Sequence, residues 1–215
     1  MENKYEVFIK LLNFLKNKYS AEKIFNDFVT LFAITLSNKV CFNKENISMY
    51  NKIYNSYEKE EKYIFYALSS ELIKLFKNEI EPYDILGDIH KKITKQTNIK
   101  IVNNSKLQEA KRKLQGVLKL DRKNNNGTMV EVNCGSGAMI LAYASTLNMF
   151  NLDYKIDLDV TAIDTDILNV FMTYIQLYFY EISAVVILLD EVTNKELMRL
   201  YTPNYENEIE NLMVA

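Results

Sequence analysis

The sequence predicts an α/β fold: an N-terminal helical region over residues 1–104, followed over 105–215 by a truncated half-domain of about three parallel strands. Three observations carry this. Apolar residues recur at three- and four-residue spacing through the first part of the chain, the period of amphipathic helices. After the polar, glycine-ended turn Lys123-Asn-Asn-Asn-Gly127 the pattern changes to alternating strand and helix. A pair of glycines then sits where the first of those strands gives way to a helix.

Taken in order, Tyr5, Phe8, Ile9, Leu11, Leu12 and Leu15 mark a first helix. A second follows a cap at Ser20 and carries Ile24, Phe25, Phe28, Val29, Leu31, Phe32 and Leu36. The third spans about Glu58 to Lys77, with Tyr63, Ile64, Tyr66, Ala67, Leu72 and Leu75 on its buried side. Pro82 opens a fourth, bearing Ile85, Leu86, Ile89 and Ile93, because a first-turn proline lacks only an N–H that would be unpaired anyway. Ser105-Lys-Leu-Gln108 is a capping-box pattern starting a short basic helix to about Gln115, with Gly116 placed as its C-terminal cap. Strands are then expected at Met129–Asn133, Leu158–Ile163 and Ala184–Leu189, with helices at Ser136–Asn148 and Asp166–Tyr180 between them. That β-α-β-α-β order implies a parallel sheet with right-handed crossovers. Phe171, Met172, Tyr174, Tyr178 and Phe179 recur at helical spacing between two buried strands and are read as core, not as a base-stacking surface.

Composition narrows the function. Two cysteines, Cys41 and Cys134, and one histidine, His90, are too few for a disulfide framework, a zinc site or a Ser-His-Asp triad. His90 is expected to be structural, and no metal is expected. Neither a secretion signal nor an apolar stretch of membrane-spanning length is visible, which points to a cytoplasmic protein with no membrane contact. The net charge of −2 hides an asymmetry. Residues 91–124 hold eleven Lys/Arg against Glu109 and Asp121, whereas 181–215 hold seven acids against two bases. The basic segment suits DNA or RNA phosphates, since neutralising them releases counterions; the alternative is a solvated helix face.

The chemistry sits at Glu131-Val-Asn-Cys-Gly-Ser-Gly137. Gly135 and Gly137 allow a tight turn and close ligand approach, while the following helix presents free amides. Asp164, at the end of the next strand, is placed to accept ribose hydroxyls. Position 140 is Ile where a dinucleotide fingerprint has its third glycine, which argues against NAD. The alternative for the glycines is a tight turn without a ligand.

These residues resemble the cofactor loop of N6-adenine DNA methyltransferases of the type I modification-subunit kind, usually Asp/Glu-Pro-x-Cys-Gly-Ser-Gly; Val132 stands here in place of the proline. Val160-Thr-Ala-Ile-Asp-Thr-Asp166 resembles the following motif, and Thr173-Tyr-Ile-Gln-Leu177 with Ile182-Ser-Ala-Val-Val-Ile187 is similar to the next helix and strand of short phage- and plasmid-borne relatives. Ala21-Glu-Lys-Ile-Phe-Asn-Asp-Phe28, Ala33-Ile-Thr-Leu-Ser-Asn38 and Asp84-Ile-Leu-Gly-Asp-Ile89 look like their helical region, and Tyr201-Thr-Pro203 like their C-terminal end. The resemblance implies a Rossmann-like domain with S-adenosylmethionine as cofactor. Its binding residues would be the backbone near Cys134, Gly135 and Gly137, the ribose acid Asp164, and Glu131 and Asp190, the last near the cofactor adenine.

Two departures shape the expected function. Gln96 to Asn104 lacks the Gln-Phe-Phe/Tyr-Thr-Pro segment that packs on the cofactor, and the catalytic Asn/Asp-Pro-Pro-Tyr/Phe motif has no counterpart, as Pro82 and Pro203 are not adjacent. The expectation is a methyltransferase-like protein that acts by binding, with no catalytic residue assigned. Two alternatives remain: an anti-defence inhibitor from a phage or mobile element that reuses the scaffold to bind a host complex, and a methyltransferase completed by a second subunit. The first strand is expected to leave an open sheet edge, covered by the C-terminal segment, a protein partner or a second copy. Asp164→Ala is expected to abolish cofactor binding and spare the fold, the acid being at a strand end and outside the core.

Overall fold

The computed structural model describes residues 4–94 and 127–205. The helical part comprises α1 (Glu6–Leu12), α2 (Ala21–Val40), α3 (Lys44–Tyr54), α4 (Tyr63–Lys77) and α5 (Ile85–Ile93). Side-chain caps fix several starts. The Ser20 hydroxyl accepts from the Lys23 amide at 3.1 Å, where the sequence places a cap. The Asp84 carboxylate accepts from the Gly87 amide at 3.0 Å and starts α5, so Pro82 lies outside the helix and not in its first turn. α4 begins at Tyr63, later than expected, because Glu61 turns back to accept the Glu58 amide at 3.0 Å. α3 was not expected; its only fully buried residue is Asn46, so no apolar stripe announces it. The expected helix Ser105–Gln115, Gly116 and the boundary at 104/105 lie outside the described residues.

The sheet follows as β1 (Gly127–Val132), α6 (Ala138–Met149), a single turn α7 (Tyr154–Asp157), β2 (Leu158–Asp164), α8 (Ile167–Phe179), β3 (Ser183–Leu189) and β4 (Glu196–Tyr201). β1 pairs with β2, and β2 with β3, in parallel, placing Val132 beside Ile163 and Asp164 beside Leu188. These are the three parallel strands the sequence predicts. β4 is new: it runs antiparallel on β3, with Val186 beside Leu200. The C-terminal segment 196–201 therefore joins the sheet opposite β1, and among the described residues the outer edge of β1 has no partner strand.

Successive right-handed crossovers in one direction put α6 and α8 on the same face of the sheet. α2 packs across α8, which leaves α8 between sheet and helical layer. Val170 through Leu177 are all buried, as a helix apolar on every side requires. The aromatic set read as core behaves so: Phe171, Met172 and Tyr174 are inaccessible, and Tyr174 donates its hydroxyl to the Tyr201 carbonyl at 3.2 Å. Phe179 stacks between Phe32 of α2 at 5.9 Å and Phe76 of α4 at 4.7 Å, and Phe76 also meets the edge of Tyr180 at 5.4 Å. No helix among the described residues is long and apolar enough to cross a membrane.

The Phe76 ring thus joins the helical layer to α8. Phe76→Ala is expected to cost about 3–5 kcal/mol, the usual range for a buried phenylalanine. Tyr63→Ala, at a 65 % exposed ring of the same helix, should stay within about 0.5 kcal/mol. Urea denaturation of both variants checks this; equal midpoints would show that the stack does not carry the packing.

Candidate functional site

β1 hands over to α6 through Asn133 (φ 59°), Cys134, Gly135 (φ 58°), Ser136 and Gly137 (φ 87°). Left-handed backbone at both glycines is what the sequence pattern asks of them. A side chain at 135 would meet open space, whereas one at 137 would press on Thr173 Oγ1 at 3.2 Å. Gly135 therefore serves the turn and access from outside, and Gly137 also serves packing on α8. The left-handed Gly137 delays α6 to Ala138, two residues later than expected, and no side chain caps it. The amides of Ala138 and Met139 have no acceptor among the described residues, so the positive end of the helix dipole stays available.

Asp164 meets this loop. Its Oδ2 accepts the Gly135 amide at 2.8 Å, while Oδ1 accepts the Asp166 amide at 2.9 Å and Asn169 Nδ2 at 3.3 Å. A carboxylate offers about four acceptor positions, so about one remains for a hydroxyl. The expectation that this acid lies outside the core is overturned: it is only 6 % exposed and latches the loop to β2.

The loop carbonyls turn the other way, toward α8. Thr173 Oγ1 donates to the Gly135 carbonyl at 2.8 Å, and Gln176 Nε2 to the Ser136 carbonyl at 2.6 Å. Gln176 also donates to Asp84 Oδ1 at 3.0 Å and accepts the Leu86 amide at 3.2 Å, while the Ser136 hydroxyl donates to Asp84 Oδ2 at 2.8 Å. Sequence reading gave Asp84, Thr173 and Gln176 no role. The available signal was polarity out of place: Thr173 and Gln176 are three apart in the fully buried stretch Val170–Leu177 of a largely apolar helix.

The other candidates divide. Cys134 lies in the loop with Sγ 3.6 Å from Thr173 Oγ1, and burial pushes its thiol up to about 12, so it is a packed neutral group and no nucleophile. Glu131 lies on β1, where its side chain makes no hydrogen bond or ion pair among the described residues, and partial burial raises its pKa above the ordinary value. Asp190 stands apart in the β3–β4 turn. There its Oδ1 accepts from Thr193 Oγ1 and the Thr193 amide, both at 2.7 Å, and these bonds hold it below the usual carboxylate range. His90 stacks on Phe25 at 5.6 Å, and burial lowers its pKa. An apolar groove of about 210 Å³ between α1 and α4, lined by Leu11, Phe14, Tyr63 and Ile64, shares no residue with the loop. No group of His, Cys, Asp and Glu among the described residues could hold a metal ion.

No family model matches the chain, and no curated protein matches it. A similar solved structure is that of a Listeria monocytogenes protein assigned to the class I S-adenosylmethionine-dependent methyltransferases, with 18% identity and a TM-score of 0.40. The match covers 84% of this chain and 50% of that one, so the chain spans about half the length of that structure.

Removal of Asp164 leaves the half-buried Gly135 amide without its acceptor, a loss of about 1 kcal/mol. Asp164→Ala should therefore lower the urea midpoint, contrary to the expectation from sequence. An unchanged midpoint would show that the latch contributes nothing to stability.

Proposed function

We propose that the chain binds S-adenosylmethionine, or its product S-adenosylhomocysteine, on a methyltransferase-like scaffold and acts by binding, without methyl transfer of its own. The observation that carries the reading is the 2.8 Å contact of Gly135 with Asp164. It brings a left-handed glycine hinge and a carboxylate together at the carboxyl ends of adjacent parallel strands, where open α/β sheets bind ligands. The groups present fit such a ligand. The free amides of Ala138 and Met139 suit the amino-acid carboxylate, the remaining acceptor position of Asp164 suits a ribose hydroxyl, and Glu131, without a cation partner, suits the ammonium. Gly135 and Cys134 supply backbone beside the open space, Gly137 the start of α6, and Asp190 is kept as the acid for the adenine.

Bound there, the cofactor would present an electrophilic sulfonium methyl. Transfer to an adenine amine needs an extruded, stacked base with its amine aligned on that methyl. The Asn/Asp-Pro-Pro-Tyr/Phe segment that does this in N6-adenine DNA methyltransferases has no counterpart here, since Pro82 and Pro203 are not adjacent. Contact with DNA or RNA through the basic segment 91–124 belongs to the same proposal. Two of its cations are engaged in the fold: Lys91 lies 3.8 Å from Asp84, and Lys92 sits over the Tyr5 ring at 4.7 Å.

A second reading, an interaction protein that reuses the scaffold to bind a host complex, is favoured by one observation. Among the described residues the outer edge of β1 has no partner strand, and beside it Val130 and Val132 are 60% and 61% exposed.

A thermal-shift titration separates the readings. A ligand that binds only the folded chain stabilises it by about 2.7 kcal/mol at a hundredfold excess over Kd, which raises the melting temperature of a chain this size by several degrees. No shift with either S-adenosylmethionine or S-adenosylhomocysteine rejects cofactor binding and favours the second reading.

Glu131 gives a pH test. Its pKa is raised in the folded chain, so as pH climbs past the ordinary glutamate value of 4.5 the unfolded chain ionises first and stability falls. Glu131→Gln should therefore be more stable than the parent near neutral pH, lose that advantage below the ordinary value, and bind S-adenosylhomocysteine more weakly. Urea midpoints across the pH range, with calorimetry, check it; a variant less stable than the parent at neutral pH contradicts the assignment.

A further inference from the structure

Between α5 and the glycine loop lies a buried polar cluster that touches no position assigned to the ligand. Asp84 is its centre, with a side chain 12% exposed. Its Oδ1 receives the Gly87 amide and Gln176 Nε2, each at 3.0 Å, its Oδ2 receives the Ser136 hydroxyl at 2.8 Å, and Lys91 Nζ stands 3.8 Å away. Gln176, inaccessible to solvent, reaches both the Ser136 carbonyl and the Leu86 amide.

Gly87 shows that this approach is built in. Glycine in a helix is disfavoured against alanine by up to about 1 kcal/mol, and Gly87, in the first turn of α5, has no left-handed backbone to excuse it. A β-carbon there would stand 2.2 Å from Asp84 Oδ2 and 2.4 Å from Ser136 Oγ. Only a hydrogen at position 87 lets the head of α5, the carboxylate and the loop serine meet.

We propose that Asp84 is a positioning residue of the loop: through Ser136 and Gln176 it sets the backbone of residues 134–137, so that docking of α5 and binding at the loop are one coupled event. As to the ligand, the proposal rests on the nucleoside reading above. As to the loop, it does not. Ser136 lies between the two left-handed glycines; its carbonyl, held by Gln176, sets the peptide plane toward Gly137, and its hydroxyl, held by Asp84, ties the side chain of the same residue to α5. Thermodynamic linkage then runs both ways: what orders the loop tightens α5, and what frees α5 loosens the loop.

The test compares the full-length parent with Asp84→Ala, Asp84→Asn and Ser136→Ala. Asparagine keeps an oxygen for Gly87 and Gln176 and places an amide against the Ser136 hydroxyl, which can accept as well as donate. Without ligand, iodoacetamide labelling of Cys134 reports loop order, with the exposed Cys41 as internal reference. Labelling of Cys134 should rise about tenfold or more in Asp84→Ala and in Ser136→Ala, and stay near the parental rate in Asp84→Asn. With S-adenosylhomocysteine, Asp84→Ala should bind about tenfold more weakly, and the ligand should slow hydrogen exchange of the Leu86 and Gly87 amides in the parent but not in that variant. A residue that merely holds the fold together would not connect ligand to exchange in α5. Unchanged Cys134 labelling in the two alanine variants overturns the proposal, as does a parent that binds ligand with no slowing in α5. If the parent binds no ligand yet Asp84→Ala exposes Cys134, the loop-setting role stands and the nucleoside reading fails. Should Asp84→Ala not fold, Ser136→Ala carries the labelling test alone.

Discussion

A helix with no side turned to water must find partners inside the protein for every polar atom it carries, because an unpaired buried polar group is costly. α8 is such a helix, and it carries two polar side chains three residues apart, Thr173 and Gln176, both buried. Their partners are the carbonyls of Gly135 and Ser136. The requirement that α8 be satisfied therefore decides which way the loop peptides face. With carbonyls turned inward, the amides at the head of α6 are left toward the outside.

Asp164 works from the opposite side of the same loop. It takes the Gly135 amide, which points back toward β2 beside the Cys134 amide, itself bonded to the Ile163 carbonyl at 3.0 Å. The loop is thus held at its carbonyls by α8 and at an amide by β2, and the left-handed glycines are the joints that let both grips act on four residues. A loop gripped from both sides in this way has its peptide planes set in advance.

Much of this was legible in the sequence, and unevenly so. The three parallel strands and the two crossover helices follow from periodicity, because strands buried against helices read as apolar runs and helices as three-four repeats. Ser20 was readable as a cap since its partner is three residues away. β4 escaped notice because its burial depends on pairing with β3; of its six residues only Leu200 is fully buried. α3 escaped because its apolar side chains pack only partly, as with Met49, Tyr50 and Ile53. At the site, Gly135, Gly137 and Asp164 stood out as types at a strand-helix junction, but the burial of Asp164 did not, since it arises from Asn169 and the loop closing over the acid. The role of Asp84 was least visible: its partners Ser136 and Gln176 are 52 and 92 positions away, and no local pattern encodes a contact of that range.

The sheet also has unlike flanks. Beyond β3 it ends in β4, whose exposed Glu196 and Arg199 pair with each other at 2.6 Å and deter a newcomer strand. The opposite flank, at β1, holds Thr128, Val130 and Val132 with no lysine, proline or bulge, and among the described residues of that strand the one charge is Glu131. Among the described residues the two flanks therefore differ in how open they are to a further strand.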